Sequence, residues 1–152
     1  MGQLEALLCY AFSSLFSSAK RWRFGTVQRL GRSGERVAAR YLRRRGFCIV
    51  AERVCSTWGE IDLVAIQGRT VVFVEVKTRS SDAYGQPEEA VTYEKQRRLT
   101  RLALAFLSRH DLLNCKARFD VVSVLWSPQA WFPQIHHIQD AFQPTERFQM
   151  FV

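Results

Sequence analysis

Two β-branched runs that meet at a short glycine-containing turn occupy residues 59–79, near the centre of the chain. Runs of this composition on either side of such a turn predict an antiparallel hairpin. If Gly68 and Arg69 form a two-residue II′ turn, which requires Gly at its first position, Asp62 lies directly opposite Glu75. This register depends on the length of the turn, because one additional residue would send Asp62 to the other face of the sheet.

Three charged residues interrupt these apolar runs: Asp62, Glu75 and Lys77. Directly opposed side chains on paired strands have Cβ atoms roughly 4.5–5.5 Å apart, so two carboxylates there repel each other unless a cation lies between them. Strand alternation puts Lys77 on the same face as Glu75. The pattern predicts a site for Mg²⁺ or Mn²⁺ held by Asp62 and Glu75, with the Val76 carbonyl as a third ligand.

The alternative is a solvated hairpin face that carries ordinary charges. Both faces of the second run are partly apolar, with valines on one face and Val71 and Phe73 on the face of Glu75. A strand that is apolar on both sides is typical of the centre of a sheet. Charged residues at the end of such a strand favour a functional site.

A helix is predicted over residues 33–45, because an apolar arc repeats at helical spacing and Gly46 provides a stop signal. Glu35 lies on the apolar side of its first turn, where a carboxylate is either a partner of the helix dipole or part of a site. The opposite flank carries a basic stripe, which is either a solvated face or a phosphate contact: Arg36, Arg40 and Arg43.

The remaining pattern alternates strands with a second long helix. Lys95 lies at the start of that helix's apolar stripe, either with its stem over the core or as part of a site. Strands separated by long helices predict an α/β fold, and the hairpin makes its sheet mixed. The predicted elements are a strand at 47–54, the hairpin at 60–78, a helix from 88 or 92 to 109, and strands at 117–126 and 135–138.

The composition is that of a globular protein, with 152 residues, 47% hydrophobic and 24% charged residues. We expect one domain over residues 31–152, preceded by a loosely ordered extension at 1–30. The net charge of +8 points to a polyanionic partner such as nucleic acid. The extension has no basic residues before its apolar part and is broken by serines, so a signal peptide is not predicted and a cytoplasmic protein is expected. Membrane contact by this extension is the weaker alternative.

An ordered set of short motifs resembles a known family. Asp62 followed by Glu75-Val76-Lys77 resembles the D…(D/E)-x-K signature of restriction-endonuclease-like nucleases. The full set is similar to the YraN-type family, which is itself similar to archaeal Holliday-junction resolvases. It comprises Gly34-Glu35, Gly59 to Leu63, Phe73 to Arg79, Lys95, Arg118 to Val122 and Ala141-Phe142. Two features depart from the family pattern, since Glu52-Arg53 stands where Asn-Arg is expected and the chain carries the N-terminal extension.

The resemblance implies a restriction-endonuclease-like αβββαβ core with a central mixed sheet and a metal-dependent endonuclease for branched or structured DNA. In that hypothesis Asp62 and Glu75 hold the metal, and Lys77 orients the attacking water or stabilises developing charge. Glu35 binds the metal's outer waters or a second metal. Arg79, Lys95 and the basic stripe contact the DNA backbone. Resolution of a junction needs two active sites, which implies a homodimer.

The rival hypothesis is a nuclease-like domain that binds nucleic acid or a protein without cleavage. Exposed aromatic residues would then make the contacts: Tyr84, Trp126, Trp131 and Phe132.

Overall fold

The computed structural model describes residues 29–80, 91–127 and 129–145. Two helices and five strands alternate along this part of the chain. They are α1 (Arg29–Arg44), β1 (Cys48–Ser56), β2 (Gly59–Gln67), β3 (Thr70–Ser80), α2 (Tyr93–Arg109), β4 (Lys116–Trp126) and β5 (Gln134–Phe142).

The five strands form one mixed sheet in the order β1-β2-β3-β4-β5. β3 and β4 are parallel and are connected through α2, whereas the other neighbours are antiparallel. This arrangement confirms the predicted α/β fold and is compatible with a restriction-endonuclease-like core.

The two helices cover opposite faces of the sheet. Leu99, Leu102 and Phe106 of α2 join one buried cluster with Phe73 and Phe119 of the central strands. The second cluster contains Ala38, Ala39 and Leu42 of α1 with the alternating residues of β3, Val72 and Val74. The central strands are therefore buried on both sides, as their two-faced apolar pattern predicts.

The turn between β2 and β3 has the predicted length. Gln67 pairs with Thr70, so only Gly68 and Arg69 lie between the strands. Gly68 has a φ of 58°, whereas Arg69 is absent from the positive-φ residues, as a II′ turn requires. The register continues to Leu63 opposite Val74, and Asp62 and Glu75 are the next positions along it.

The sheet divides beyond the Leu63–Val74 pair. Pairing between β2 and β3 stops there. β2 stays paired with β1 as far as Gly59 opposite Ser56, and β3 stays paired with β4 as far as Ser80 opposite Trp126. We call this point the strand fork.

A buried ionic network joins β4 to β5. Asp120 is fully buried and accepts hydrogen bonds from Arg118 Nε at 2.9 Å and from the backbone N–H of Asp140 at 3.0 Å. Its other oxygen lies 2.9 Å from His137 Nε2. These partners hold the carboxylate as an anion, so the pKa of Asp120 is lowered although burial alone would raise it.

Several predicted bounds shift in the structure. The last strand continues to Phe142, four residues beyond the predicted end, because the Asp120 network supports the irregular pairing between Phe119 and Val121. The predicted extension at 1–30 lies almost entirely outside the described residues, as does Tyr84. Within the described ranges, no helix has the length and apolar character needed to cross a membrane.

Candidate active site

Asp62 lies at the strand fork, where its side chain takes the place of a backbone partner. Its Oδ2 accepts the N–H of Val76 at 2.7 Å, two residues after the last β3 residue that pairs with β2. Burial raises the pKa of Asp62 to about 7, and the charges of Glu75 and Glu35 raise it further, against the opposing effect of the Val76 bond. A carboxylate in this position attracts cations because its negative charge is poorly solvated.

Glu75 approaches from the face of the sheet that α2 covers. Its Oε1 lies 3.0 Å from Lys95 Nζ, and only 11% of its side chain is exposed. Its Oε2 is buried and has no hydrogen-bond partner among the residues that the structure describes. Lys77 follows two residues later on the same strand face and is half-buried. Glu75 thus keeps one buried oxygen available to a further donor or cation.

Glu35 reaches the fork from the opposite face. The ligand atoms of Glu35, Glu60 and Asp62 all lie within 4.8 Å of one another. The close approach of α1 to β3 makes this possible, because a Cβ on Gly34 would collide with the side chain of Thr78, whose own Cβ would be only 2.9 Å away. Gly34 therefore allows the helix to bring Glu35 to the sheet.

Glu60 is the member of this cluster to which the sequence analysis assigns no role. Its Oε2 accepts hydrogen bonds from Arg53 Nη2 at 3.2 Å and from the thiol of Cys55 at 3.1 Å. The available signal was strand alternation, since Glu60 and Asp62 are two residues apart on β2 and share a face.

Arg53 marks the same place on β1. It lies between the pairs Glu52–Leu63 and Val54–Ile61, and therefore opposite Asp62. Its φ of 56° is left-handed, which is uncommon for a residue other than glycine. Strained backbone of this kind clusters at functional sites. Here it turns the guanidinium toward Glu60.

The donor set fits a hard divalent cation. Three carboxylates converge, and oxygen ligands are those that Mg²⁺ and Mn²⁺ prefer. The neighbouring sulfur does not compete, since burial and the bond to Glu60 raise the pKa of the Cys55 thiol to about 11. This geometry groups Asp62 with Glu35 and Glu60, whereas the sequence analysis grouped it with Glu75 and Val76.

The basic residues divide between the fork and the surface. Lys95 pairs with Glu75, so it belongs to the fork. Arg79 is half-buried near the end of β3. Arg36, Arg40 and Arg43 are exposed on α1, and Arg43 forms a 3.0 Å ion pair with Glu52.

The aromatic residues of the rival hypothesis also divide. Trp131 and Phe132 are 95% and 82% exposed. Trp126 is half-buried against the α1-side cluster, so its expected exposure is wrong. Its indole packs beside Ile135 and Val124 of the neighbouring strands' cluster rather than facing solvent.

The fold and the site define an α/β protein with a restriction-endonuclease-like core and a carboxylate cluster at the fork of its central hairpin. The chain belongs to the uncharacterised protein family UPF0102, whose model matches residues 34–124.

Relatives from distant bacteria share most of their length with this chain. The UPF0102 protein of Geotalea uraniireducens is 46% identical over 114 residues, covering 75% of this chain and 89% of the relative. The one from Geobacter sulfurreducens is 47% identical, covering 75% and 88%. The one from Nocardia farcinica is 47% identical over 120 residues, covering 79% and 94%.

Proposed function

We propose that this protein is a metal-dependent endonuclease that hydrolyses phosphodiester bonds in branched or structured DNA. The observation that carries the proposal is the convergence of Glu35, Glu60 and Asp62 within 4.8 Å at the strand fork. Glu75 and Lys95 lie beside this cluster as a 3.0 Å ion pair. Concentrated negative charge next to ammonium groups suits a site that takes a cation and a phosphate together.

Each residue at the fork has a part in this chemistry. Asp62, Glu35 and Glu60 hold Mg²⁺ or Mn²⁺, with the Val76 carbonyl and Glu75 Oε2 as further oxygen donors. A bound divalent cation supplies Lewis acidity toward the phosphate and a more acidic water. Lys77 orients the attacking water or donates to the developing negative charge on the phosphate. Lys95 fixes the Glu75 carboxylate through their ion pair.

Arginines outside the fork position the DNA backbone. Arg36, Arg40 and Arg43 are exposed along α1, the helix that supplies Glu35. Together with Arg79, they contact phosphates without reading bases. The net charge of +8 favours a polyanionic substrate. Paired cuts in a junction require two copies of the site, so the proposal includes a homodimer acting on DNA in the cytoplasm.

A cleavage assay tests the proposal directly. The full chain is incubated with four-way junction, splayed fork, nicked duplex and linear duplex, with Mg²⁺, with Mn²⁺ and with EDTA. We expect metal-dependent cleavage of branched DNA, abolished by Asp62→Asn and by Lys77→Met. Glu52→Gln is the matched control, because Glu52 is an exposed carboxylate paired with an arginine outside the cluster. Binding of DNA without cleavage under any metal would overturn the endonuclease and leave a non-catalytic binding module.

A further inference from the structure

The exposed aromatic side chains are concentrated at one end of the sheet. Four large hydrophobic residues are exposed in the part of the chain that the structure describes: Trp58 at 57%, Tyr93 at 64%, Trp131 at 95% and Phe132 at 82%. β1, β3 and β4 end at this edge of the sheet, and β2 and β5 begin there. The strand fork lies at the same end.

Each aromatic is close to the site in the chain or in the topology. Trp58 lies in the β1–β2 turn, two residues before Glu60. Tyr93 is the first residue of α2, two residues before Lys95, which contacts Glu75. Trp131 and Phe132 lie between β4 and β5.

The distances along the strands set a scale. Glu75 is level with Val121 on β4, and Trp126, where β4 ends, lies five residues further on. At roughly 3.3 Å per residue, the β4–β5 connection is about 17 Å beyond Glu75. Trp58 is beside the carboxylate cluster, whereas Trp131 and Phe132 are several nucleotide lengths away from it.

The opposite end of the sheet lacks such residues. Its described connections contain Arg45 and Gly46, Gly68 and Arg69, and residues 110–115, none of which is a large exposed hydrophobic. Aromatic exposure confined to one end, around a site with converging carboxylates and lysines, is therefore a property of that end rather than of the whole surface.

We infer that these aromatics form a stacking surface for unpaired bases that adjoin the phosphate at the strand fork. This inference rests on the proposed function and names its substrate class, DNA with a single-stranded segment next to the cut. Bases in a duplex have both faces covered by neighbours, whereas unpaired bases offer a face to an aromatic ring. The net charge of +8 and the exposed arginines of α1 match the phosphates of such a strand.

The test separates ring stacking from apolar contact by comparing substitutions at one position. Binding of splayed fork, single strand and blunt duplex of matched sequence is measured by fluorescence anisotropy in EDTA. The variants are Trp58→Leu, Trp58→Phe, Trp131→Leu/Phe132→Leu and Trp131→Phe, with Arg69→Ala at the far turn as control. The substituted aromatics are exposed, so the variants are expected to fold.

We expect each leucine variant to bind the fork and the single strand roughly 5- to 150-fold more weakly, the range for loss of one base–aromatic stack. Ring-retaining variants and Arg69→Ala should bind nearly as the wild type does, and duplex affinity should change little. The inference is overturned if the leucine variants bind the fork as tightly as the wild type. It is also overturned if leucine and phenylalanine variants lose affinity equally.

The two proposals can fail separately. Ring-dependent binding of forks without cleavage in any metal would remove the endonuclease and retain the stacking surface. Metal-dependent cleavage with no difference between fork and duplex, and no effect of the leucine variants, would remove only the stacking surface.

Discussion

Asp62 Oδ2 accepts the backbone N–H of Val76 at 2.7 Å, so a single carboxylate both belongs to the acidic cluster and closes the sheet at the strand fork. These two tasks can be separated by mutation. We expect Asp62→Asn to be at least as stable as the wild type in metal-free buffer near pH 8, because the amide oxygen still accepts the N–H and a poorly solvated charge is removed.

Asp62→Ala should instead lower the free energy of unfolding by about 1–3 kcal/mol, because the Val76 N–H loses its partner. Thermal melts with and without Mn²⁺ distinguish the two variants. Neither should show the stabilisation that bound metal gives the wild type. Equal destabilisation by Asn and Ala would mean that the Asp62 charge itself supports the fold.

Glu60 is expected to matter as much as the residues that the sequence singled out. Glu60→Gln should weaken Mn²⁺ binding about 10-fold or more, because it removes charge from the cluster. Isothermal titration calorimetry measures the affinity, and Glu52→Gln is the control, since Glu52 is also a carboxylate paired with an arginine. If both variants bind Mn²⁺ like the wild type, Glu60 has no part in cation binding.

Gly34 should be intolerant of even one added methyl group. We expect Gly34→Ala to destabilise the fold by about 1–3 kcal/mol, because the new Cβ collides with Thr78 and overpacks the contact between α1 and β3. Metal affinity should fall with it, since Glu35 is the next residue. Thr78→Ala removes part of the obstructing side chain, so a double-mutant cycle followed by urea unfolding should show partial rescue. Simple additivity would contradict the proposed collision.

Acid should remove a contribution that Asp120 makes to stability. Its pKa is lowered in the folded protein by His137, Arg118 and the Asp140 N–H, so its stabilising effect is complete above the ordinary carboxyl value near 3.8. That effect is lost as the pH falls toward the folded-state pKa. Asp120→Asn should cost about 3–5 kcal/mol at neutral pH, because a fully buried ionic network loses its charge.

Urea midpoints from pH 7 down to pH 3 measure this difference. The gap between the wild type and Asp120→Asn should narrow only at the acid end. The exposed Asp111→Asn is the control, because Asn tolerates the left-handed backbone at that position, where φ is 55°. A gap that is constant across the range would show that shape, rather than charge, is lost.

Phosphate contacts by α1 predict a salt dependence. Affinity for DNA should fall with salt by about 0.9 log units per contact for each tenfold change on duplex. Arg36→Ala/Arg40→Ala should reduce this slope by up to about two contacts, whereas Arg69→Ala, at the far turn, should leave it unchanged. A slope identical to that of the wild type on junction and duplex would make the α1 stripe only a solvated face.

Local rules were sufficient for the parts of the fold that are close in sequence. The II′ turn at Gly68 fixes the hairpin register, and the apolar periods locate both long helices. Glu35 was also recognisable, because a carboxylate on the apolar side of a helix is unusual. Its distance from β2 was not, because that distance depends on the Gly34–Thr78 approach across 44 residues of chain.

Long-range irregularities escaped prediction. The left-handed backbone of Arg53 has no sequence signal of its own, although it turns this side chain toward Glu60. The Asp120–His137 contact joins residues 17 apart on strands whose register is irregular. The pairing of Lys95 with Glu75 crosses from a helix to the sheet, and periodicity alone does not select that partner.

The bond between Asp62 and Val76 also constrains which acid can occupy this position. The carboxylate must reach an N–H held by the backbone of the neighbouring strand, so the span is set by the spacing of the strands and not by the size of an ion. A glutamate, one methylene longer, would have to fold back on itself or push the strands apart. The choice between two chemically equivalent acids is therefore made by main-chain geometry, and the ligand must adapt to an oxygen whose place is already fixed.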